Sequence, residues 1–255
     1  LISSGVISNG AGIYVSTASP LTLTDVAIQS NSAAGSGGGI YSLSSVVLTR
    51  VTFSDNACTG VNCFGGALHV NGSGTLTANE SVFTNNTAYF SGGAFSLRNV
   101  VLNGGKFEGN SCSGSNCFGA GINTHGSIWI TGTQFINNSG AERGGGMDAF
   151  EDAHITNALF SNNSATGYGG AFFVDGTLSM TDTTLVENTS VFEGGGAYLF
   201  GDATITGGLI ARNTSNRGGG GMINGALTVS GGTVSGNQAL GSDGGAFVMG
   251  AGSSL

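Results

Sequence analysis

Residues 153–172, AHITNALFSNNSATGYGGAF, contain the two fragments whose recurrence decides the fold. Apolar side chains at Ala153 and Ile155 alternate with polar ones, and an aromatic residue precedes an asparagine by three positions, as Phe160 precedes Asn163. A pair of glycines then introduces a further apolar residue. Alternation with a period of two is typical of β-strands rather than helices. This stretch therefore predicts three short strands separated by tight corners.

Both fragments recur along the whole chain. The asparagine of the first fragment returns at intervals of 22 to 30 residues, at Asn9, Asn31, Asn56, Asn86, Asn110, Asn138, Asn163, Asn188, Asn213 and Asn237. The apolar residue of the second fragment returns in step with it, at Ile13, Ile40, Leu68, Phe95, Ile122, Met147, Phe172, Tyr198, Met222 and Phe247. An eleven-residue block ending on the asparagine repeats nine times without an insertion. Such periodicity is the signature of a solenoid.

The length of the repeat sets the architecture. A copy of about 25 residues with three strands corresponds to one coil of a β-solenoid. We therefore predict an all-β, right-handed, single-stranded parallel β-helix of about ten coils with three strands per coil. Equivalent positions stack about 4.8 Å apart, so the phenylalanines form an internal column and the asparagines an inward amide ladder. Residues 1–255 are predicted to form one β-helix segment, a fragment of a longer surface protein.

Composition and charge exclude several classes of partner. Only 8% of the residues are charged, the net charge is −8, and the six basic residues are scattered singly. A nucleic-acid binder needs several cations on one surface, so we predict no nucleic-acid partner. The longest apolar runs are only a few residues, far shorter than the ~20 residues of a membrane helix, so we predict no transmembrane segment in this chain.

The four cysteines lie in two similar loops that are longer than most others in the chain. We predict the disulfides Cys58–Cys63 and Cys112–Cys117, because a bridge between loops two coils apart, about 10 Å, exceeds the usual Cα limit of about 7 Å. A zinc site is the alternative, but a Cys-x4-Cys spacing without a nearby histidine matches zinc ligation poorly. Two disulfides predict an oxidising compartment.

Seven Asn-x-Ser/Thr sequons occur, and two of them use ladder asparagines, Asn188 and Asn213, where a glycan would clash with the core. The glycosylation candidates are the remaining sequons that we place in corner loops or just before a ladder position, Asn71, Asn85, Asn137 and Asn162. The alternative is that a chain rich in Asn, Ser and Thr generates sequons without their being modified.

One residue after the inward position of the Gly-Gly strand, four successive coils carry apolar side chains, Phe173, Leu199, Ile223 and Val248. If alternation is strict, these residues form an exposed hydrophobic stripe, which monomeric proteins generally avoid. We predict that the stripe is an interface with a partner, a sister subunit or another domain. The alternative is that a loop or flanking segment of the same chain covers it.

Many right-handed β-helices are enzymes that act on polysaccharides, so such an enzyme is the alternative to a scaffold. Glycosidases use two or three neighbouring carboxylates, and the richest acidic segment is Asp148, Glu151 and Asp152, followed by His154. Asp152 and Asp202 share a register but lie two coils apart, Asp175 is two positions off that register, and Arg143 lies in the preceding loop. We predict no catalytic, cofactor or metal residues and no enzyme activity, with a polysaccharide lyase, hydrolase or epimerase as the alternative.

The two fragments, as in Gly65-Gly66-Ala67-Leu68 and Phe83 to Asn86, closely resemble the repeats of chlamydial polymorphic outer-membrane proteins. The resemblance covers essentially the whole chain and implies the extracellular β-helix of an adhesin-like surface protein. It supports the prediction that the chain is a structural or adhesive scaffold at the cell surface. The predicted partners are proteins or glycans at a surface, further copies of the chain, or other domains of the same protein.

Overall fold

The computed structural model describes residues 2–3, 6–16, 19–241 and 243–250, and within these ranges it contains strands, turns and bends but no helix. Within each sheet, every strand pairs in parallel with the equivalent strand of a neighbouring coil. The chain is a parallel β-solenoid of about nine turns with three principal strands per turn. The predicted fold class is confirmed.

Three long sheets form the sides of the solenoid, and each is named after its sequence fragment. The aromatic sheet carries the Phe-x-x-Asn fragments and consists of Ile2–Ser3, Ala27–Gln29, Thr52–Ser54, Val82–Thr84, Lys106–Glu108, Gln134–Ile136, Leu159–Ser161, Thr184–Val186, Leu209–Ala211 and Thr233–Ser235. The aliphatic sheet precedes it in each coil and consists of Leu21–Thr24, Val46–Thr49, Leu76–Asn79, Val100–Asn103, Ile128–Thr131, Ala153–Thr156, Leu178–Thr181, Ala203–Thr206 and Leu227–Ser230. The Gly-Gly sheet consists of Ile13–Val15, Ile40–Ser42, Leu68–Val70, Ala94–Ser96, Ile122–Thr124, Met147–Ala149, Phe172–Val174, Ala197–Leu199, Gly221–Ile223 and Phe247–Met249.

A fourth strand of two to five residues lies at the corner after the aromatic sheet in each coil, and the repeat pattern did not predict it. These corner strands form two separate sheets. The first contains Val6–Ile7, Ser32–Ala33, Ala57–Cys58, Thr87–Ala88 and Ser111–Cys112. The second contains Ala141–Arg143, Ser164–Tyr168, Thr189–Ser190, Thr214–Ser215 and Gln238–Ala239.

The middle residues of the aromatic sheet form the predicted internal column. Phe53, Phe83, Phe107, Phe135 and Phe160 are each at most 1% exposed, and successive rings are almost parallel, with centroids 4.4 to 5.1 Å apart. Offset stacking of aromatic rings at this separation stabilises the core beyond the burial of their area. The column therefore joins five successive coils through one continuous contact.

The asparagine ladder is also confirmed, from Asn31 to Asn237. Each ladder residue from Asn31 to Asn213 donates hydrogen bonds from its backbone N–H and its Nδ2 to the Oδ1 of the next ladder asparagine, at 2.9 to 3.1 Å. Most Nδ2 groups donate a second bond to a backbone carbonyl, as Asn56 does to Ile28 at 2.8 Å. The buried amides are thus satisfied by one another and by the backbone.

Asn9 does not belong to this ladder, which corrects the prediction for the first coil. Val6 pairs with Ser32, so Asn9 lies after the corner strand rather than immediately before it. Its Oδ1 accepts a hydrogen bond from the Ser36 backbone N–H at 2.7 Å instead.

The paired glycines serve two different purposes. Gly65 has a φ of 66°, a left-handed conformation that glycine adopts without steric cost. Gly66 has no positive φ, but a Cβ there would collide with the backbone carbonyls of Gly92 and Thr87 in the next coil. The first glycine therefore shapes the corner, and the second permits close approach between coils.

Candidate functional site

The Gly-Gly sheet pairs in a register that differs from the prediction by one residue in three coils. Phe95 pairs with His69, and Tyr198 pairs with Phe173. Met222 in turn pairs with Tyr198. The residues predicted to face inward at these coils, Phe95, Tyr198 and Met222, therefore lie on the outward side of the sheet. The inward positions are occupied by Ala94, Ala197 and Gly221.

The cause is the residue with positive φ that precedes each strand by three positions. Gly169 takes this role before Phe172, with a φ of 65°. Ser91, with a φ of 55°, takes it before Ala94, so the glycine pair there stands one position later than elsewhere. Aligning the coils on glycine rather than on the corner conformation shifts the strand by one residue, and a shift of one residue exchanges its two faces.

The prediction of an exposed hydrophobic stripe is therefore wrong. Two of its four residues face inward, and the other two are not exposed. Leu199 and Ile223 lie in the column of Val174, on the inward side, and are each 1% exposed. Phe173 lies on the outward side but is only 2% exposed, and Val248 is half-buried. The alternative, that other parts of the same chain cover this face of the Gly-Gly sheet, is the correct one.

Rings from the connections on both sides of the Gly-Gly sheet cover its outward face. Phe64 and Phe118 come from the loops before the strands, and Phe64 packs 4.7 Å from Phe95. Phe150 and Phe200 follow the strands, and Phe200 packs 5.7 Å from Phe173. We name this face, with its covering rings, the aromatic groove. From Ile40–Ser42 to Gly221–Ile223, every strand residue of the sheet is buried on both sides.

Arg143 lies at the centre of the aromatic groove. Its guanidinium carbon lies 4.3 Å from the Phe118 ring centroid and 4.2 Å from that of Phe173, distances typical of cation–π contacts. Its Nε lies 3.2 Å from Asp148 Oδ2, and its Nη2 lies 3.8 Å from Asp175 Oδ2. The groove thus encloses one cation between rings and two carboxylates.

The electrostatics of this cluster are set by burial. Asp148 is fully buried, and burial raises the pKa of its carboxyl above the ordinary value, while Arg143 opposes that rise. Burial likewise raises the pKa of Asp175, again against Arg143. Arg143 Nη2 donates a long hydrogen bond to Asp148 Oδ1 at 3.5 Å. Arg143 Nε and Asp148 Oδ2 lie 3.2 Å apart but have no hydrogen-bond partner within the described residues, so that second contact is coulombic.

The remaining acidic residues of the predicted enzymatic alternative have structural contacts. Asp152 Oδ1 accepts hydrogen bonds from the backbone N–H and the hydroxyl of Thr177 at 2.8 and 2.9 Å. Asp202 Oδ1 accepts one from the Ala226 backbone N–H at 2.8 Å. These carboxylates join neighbouring coils at the corner that leads into the aliphatic sheet.

Glu151 and His154 contact residues other than Arg143. Glu151 Oε2 accepts a hydrogen bond from the Ser127 hydroxyl at 3.0 Å. His154 stacks on Trp129, with ring centroids 5.4 Å apart, on the outward side of the aliphatic sheet. The structure thus brings together Asp148, Asp175 and Arg143, a grouping that the spacing of the repeats did not predict.

Two cavities flank Arg143 in the aromatic groove. The first has a volume of about 310 Å³ and is lined by Phe64, Phe90, Ser91, Phe95, Asn116, Phe118, Asn123, His125 and Phe150. The second has a volume of about 290 Å³ and is lined by Arg143, Tyr168, Phe173, Glu193, Tyr198 and Phe200. We name them the Phe cavity and the Tyr cavity. Their volumes are close to the lower end of the range for small-ligand sites, about 300 to 1,000 Å³.

His69 lies beneath the rings of the Phe cavity. It is 5% exposed, and its ring packs edge-on against Tyr41 and Phe95 at centroid distances of 5.0 and 4.9 Å. Neither ring nitrogen has a hydrogen-bond partner among the described residues. Burial lowers the pKa of His69 to about 3, with a smaller contribution from His125. His69 is therefore a neutral packing residue at ordinary pH.

Both predicted disulfides are present. Cys58 bonds to Cys63 and Cys112 bonds to Cys117, with Cα atoms 6.0 and 6.1 Å apart. Each bridge closes one of the longer loops, just before Phe64 and Phe118. The two bridges fit an oxidising compartment.

The four glycosylation candidates differ in exposure. Asn85, Asn137 and Asn162 are exposed and have φ values of 54° to 56°. Asn71 is half-buried, and its Nδ2 donates a hydrogen bond to the Tyr41 hydroxyl at 2.6 Å. Glycosylation itself stays a prediction, and it fits the first three sites better than Asn71.

No helix in the described ranges has the length and apolar character needed to cross a membrane. Among the same residues, no three His, Cys, Asp or Glu side chains are grouped so that they could bind a metal ion.

Comparison with known proteins supports the resemblance. Residues 25–43 and 157–175 match the model of the Chlamydia polymorphic membrane protein (Chlamydia_PMP) repeat. No curated protein and no solved structure matches the chain. Each matched segment runs from the aromatic sheet through the ladder asparagine to the Gly-Gly sheet. Two of the repeats in this chain therefore match the repeat described for that family.

Proposed function

We propose that this chain is part of a rod-like scaffold at the cell surface and that the aromatic groove is its adhesive surface. The repeat and the β-solenoid fold are compatible with a surface scaffold. The adhesive role is supported by one observation, which is the convergence of aromatic side chains on the outward face of the Gly-Gly sheet.

The other faces of the solenoid differ from this one. The outward positions of the aliphatic sheet include exposed polar residues such as Thr22, Ser179 and Thr204. By contrast, Phe200 lines the Tyr cavity and is 50% exposed, and Phe192, which packs 5.8 Å from the lining residue Tyr168, is 52% exposed. Aromatic residues are enriched among the side chains that dominate binding energy at protein interfaces. Exposed rings beside a preformed cavity therefore favour binding at the groove.

The test measures binding of the whole chain to arrays of purified extracellular proteins and of glycans. The double variant Phe192→Ser, Phe200→Ser removes the exposed rings, and Trp129→Ser removes an exposed ring from the aliphatic sheet as the matched control. We expect saturable binding that falls at least tenfold in the double variant and changes less than twofold in the control. Absence of binding to both arrays, or an equal loss in the control, would overturn the adhesive proposal.

A polysaccharide-active enzyme is the second candidate, and the grouping of Arg143 with Asp148 and Asp175 is the observation that favours it. The Arg143 side chain is only 18% exposed and is packed between rings, and Asp148 is fully buried. A catalytic group must reach its substrate, so this cluster fits a packing role better. We expect no release of reducing ends or unsaturated sugars from polygalacturonate. Turnover that disappears in Asp175→Asn would establish the enzyme instead.

A further inference from the structure

Four asparagines in the chain are followed directly by a glycine, namely Asn9, Asn71, Asn103 and Asn224. An asparagine in this position can deamidate, because the backbone nitrogen of the next residue can attack its side-chain carbonyl carbon and close a five-membered imide. Glycine favours this reaction, since it has no side chain to hinder the approach. Which pairs react in the folded protein therefore depends on the contacts that hold the glycine nitrogen and the asparagine side chain.

In two of the four pairs, a neighbouring coil holds the glycine nitrogen. The Gly10 N–H donates a hydrogen bond to the Ser36 carbonyl at 3.0 Å, and Asn9 Oδ1 accepts one from the Ser36 backbone N–H at 2.7 Å. In the third pair along the chain, the Gly104 N–H donates to the Thr131 carbonyl at 2.7 Å. Attack by either nitrogen requires a hydrogen bond between coils to break first, which slows the reaction.

In a third pair, contacts with other coils hold the asparagine side chain. Asn224 Nδ2 donates a hydrogen bond to the Tyr198 hydroxyl at 3.1 Å. Asn224 Oδ1 lies so close to Gly250 of the next coil that a Cβ added there would collide with it. The amide of Asn224 is thus enclosed between the coils on its two sides.

The remaining pair, Asn71 and Gly72, lies at the corner between Leu68–Val70 and Leu76–Asn79. The Gly72 N–H donates a hydrogen bond to Asn71 Oδ1 at 2.8 Å, within its own pair. This contact places the nitrogen beside the carbonyl group that it must attack. Asn71 Nδ2 donates to the Tyr41 hydroxyl at 2.6 Å, which fixes the side chain, and Gly72 is exposed, so water reaches its nitrogen.

We propose that Asn71 is a site of spontaneous deamidation in the folded chain. Water or hydroxide removes the proton of the Gly72 N–H, and the nitrogen forms a bond to Asn71 Cγ. The bond between Cγ and Nδ2 breaks, and Nδ2 takes a proton and leaves as ammonia. The Tyr41 hydroxyl lies in position to donate that proton and regains one from water. Water then opens the imide at either carbonyl, which gives aspartate or isoaspartate at position 71.

The product changes the chemistry of this corner. A carboxylate at position 71 cannot donate a hydrogen bond to the Tyr41 hydroxyl, and it adds a negative charge to a chain whose net charge is already −8. Isoaspartate also lengthens the backbone by a methylene group. Neither product has the amide that an N-linked glycan requires, so deamidation and glycosylation at Asn71 exclude each other. This inference does not depend on the adhesive role of the groove.

The test incubates the whole folded chain in heavy-oxygen water and maps its peptides by mass spectrometry after digestion in ordinary water. Imide hydrolysis during the incubation incorporates the heavy oxygen, which distinguishes it from reaction during digestion. We expect deamidation about tenfold faster at Asn71 than at Asn103, because the latter pair must first break the hydrogen bond to Thr131. Both aspartate and isoaspartate should form, at a rate that rises from pH 6 to pH 8, since the glycine nitrogen must lose its proton.

The same chain unfolded in urea is the matched control, because unfolding releases both pairs from the contacts of the fold. There the rates at Asn71 and Asn103 should agree within about threefold. The variant Asn71→Gln keeps the amide but requires a six-membered ring, so we expect no acid to form at position 71. Equal rates at the two pairs in the folded chain would overturn the proposal. Aspartate without isoaspartate, or acid formation that persists in Asn71→Gln, would also overturn it, because either result indicates direct hydrolysis.

Discussion

The interior of the solenoid and the aromatic groove differ in whether their buried polar side chains have hydrogen-bond partners. In the interior, the buried ladder from Asn31 to Asn213 satisfies its amides coil after coil. In the groove, the described residues include buried polar atoms without hydrogen-bond partners, on His69, Asn123, Arg143 and Asp148. Structural repetition explains the interior, but nothing in the fold requires these four residues. Local departures from an otherwise consistent design are expected where a protein carries its function.

The largest expected effect comes from removing one ring of the internal phenylalanine column. Phe135→Ala deletes a fully buried ring that stacks on Phe107 and Phe160, at 5.1 and 4.5 Å. We expect the free energy of unfolding to fall by about 3 to 5 kcal/mol, because the variant loses ring burial and leaves a cavity. Urea denaturation followed by circular dichroism measures it. The exposed ring in Trp129→Ala should cost at most about 1 kcal/mol, and similar losses in both variants would contradict the expectation.

The next effect removes one step of the ladder. In Asn163→Ala, the Asn138 backbone N–H loses its acceptor, and the Phe135 carbonyl loses the Nδ2 donor. Two buried groups without partners should cost about 2 to 4 kcal/mol in the same denaturation experiment. Asn162→Gly is the matched control, because its side chain is exposed and glycine accepts its φ of 55°. An unchanged midpoint for Asn163→Ala would show that the ladder does not stabilise the fold.

The smallest expected effect concerns the aromatic groove, where the protonation of His69 makes the free energy of unfolding depend on pH. Between about pH 6.5 and pH 3 the unfolded chain binds a proton at His69 that the folded chain does not, because burial lowers the folded-state pKa to about 3. The unfolding free energy should therefore fall as the pH falls through this window, by about 2 kcal/mol between pH 7 and pH 5.

The variant His69→Phe isolates this contribution. It should be more stable than the unmodified chain by about 1 kcal/mol at pH 7, because two unpaired ring nitrogens are removed. It should also lose less stability between pH 7 and pH 5, since the carboxylates titrate equally in both proteins. Parallel denaturation curves at the two pH values provide the measurement. Equal pH dependence of the two proteins would show that His69 is accessible to protons in the folded state.

The interior and the two disulfides could be predicted because every position in them is repeated or paired locally. The spacing from Phe53 to Asn56 is the spacing from Phe83 to Asn86, so one coil determines the next. Cys58 and Cys63 stand in a loop that is visibly longer than its neighbours. These features need only parallel stacking in register, and the glycine-rich corners permit that stacking.

The groove could not be predicted in the same way, because its residues come from connections that do not repeat. Ser91 replaces glycine at the corner before Ala94, and that substitution concealed the outward position of Phe95. Arg143 and Asp175 are 32 positions apart, with no repeated spacing between them. One usable signal was present: phenylalanines recur in connections on both sides of the Gly-Gly strand, as at Phe64 and Phe150. Corner residues with positive φ, rather than glycines, would have aligned the coils correctly.

The direction of the ladder has a consequence for the rod as a whole. From Asn56 to Asn213, every side-chain Oδ1 accepts from the asparagine of the preceding coil, and every Nδ2 donates to the asparagine of the following coil. The second Nδ2 hydrogen is donated to a backbone carbonyl of the preceding coil. Amide dipoles aligned in this way add head to tail and polarise one another, as the peptide units of a helix do. The asparagines therefore give the solenoid an axial electric polarity, so its two directions along the axis are electrostatically different.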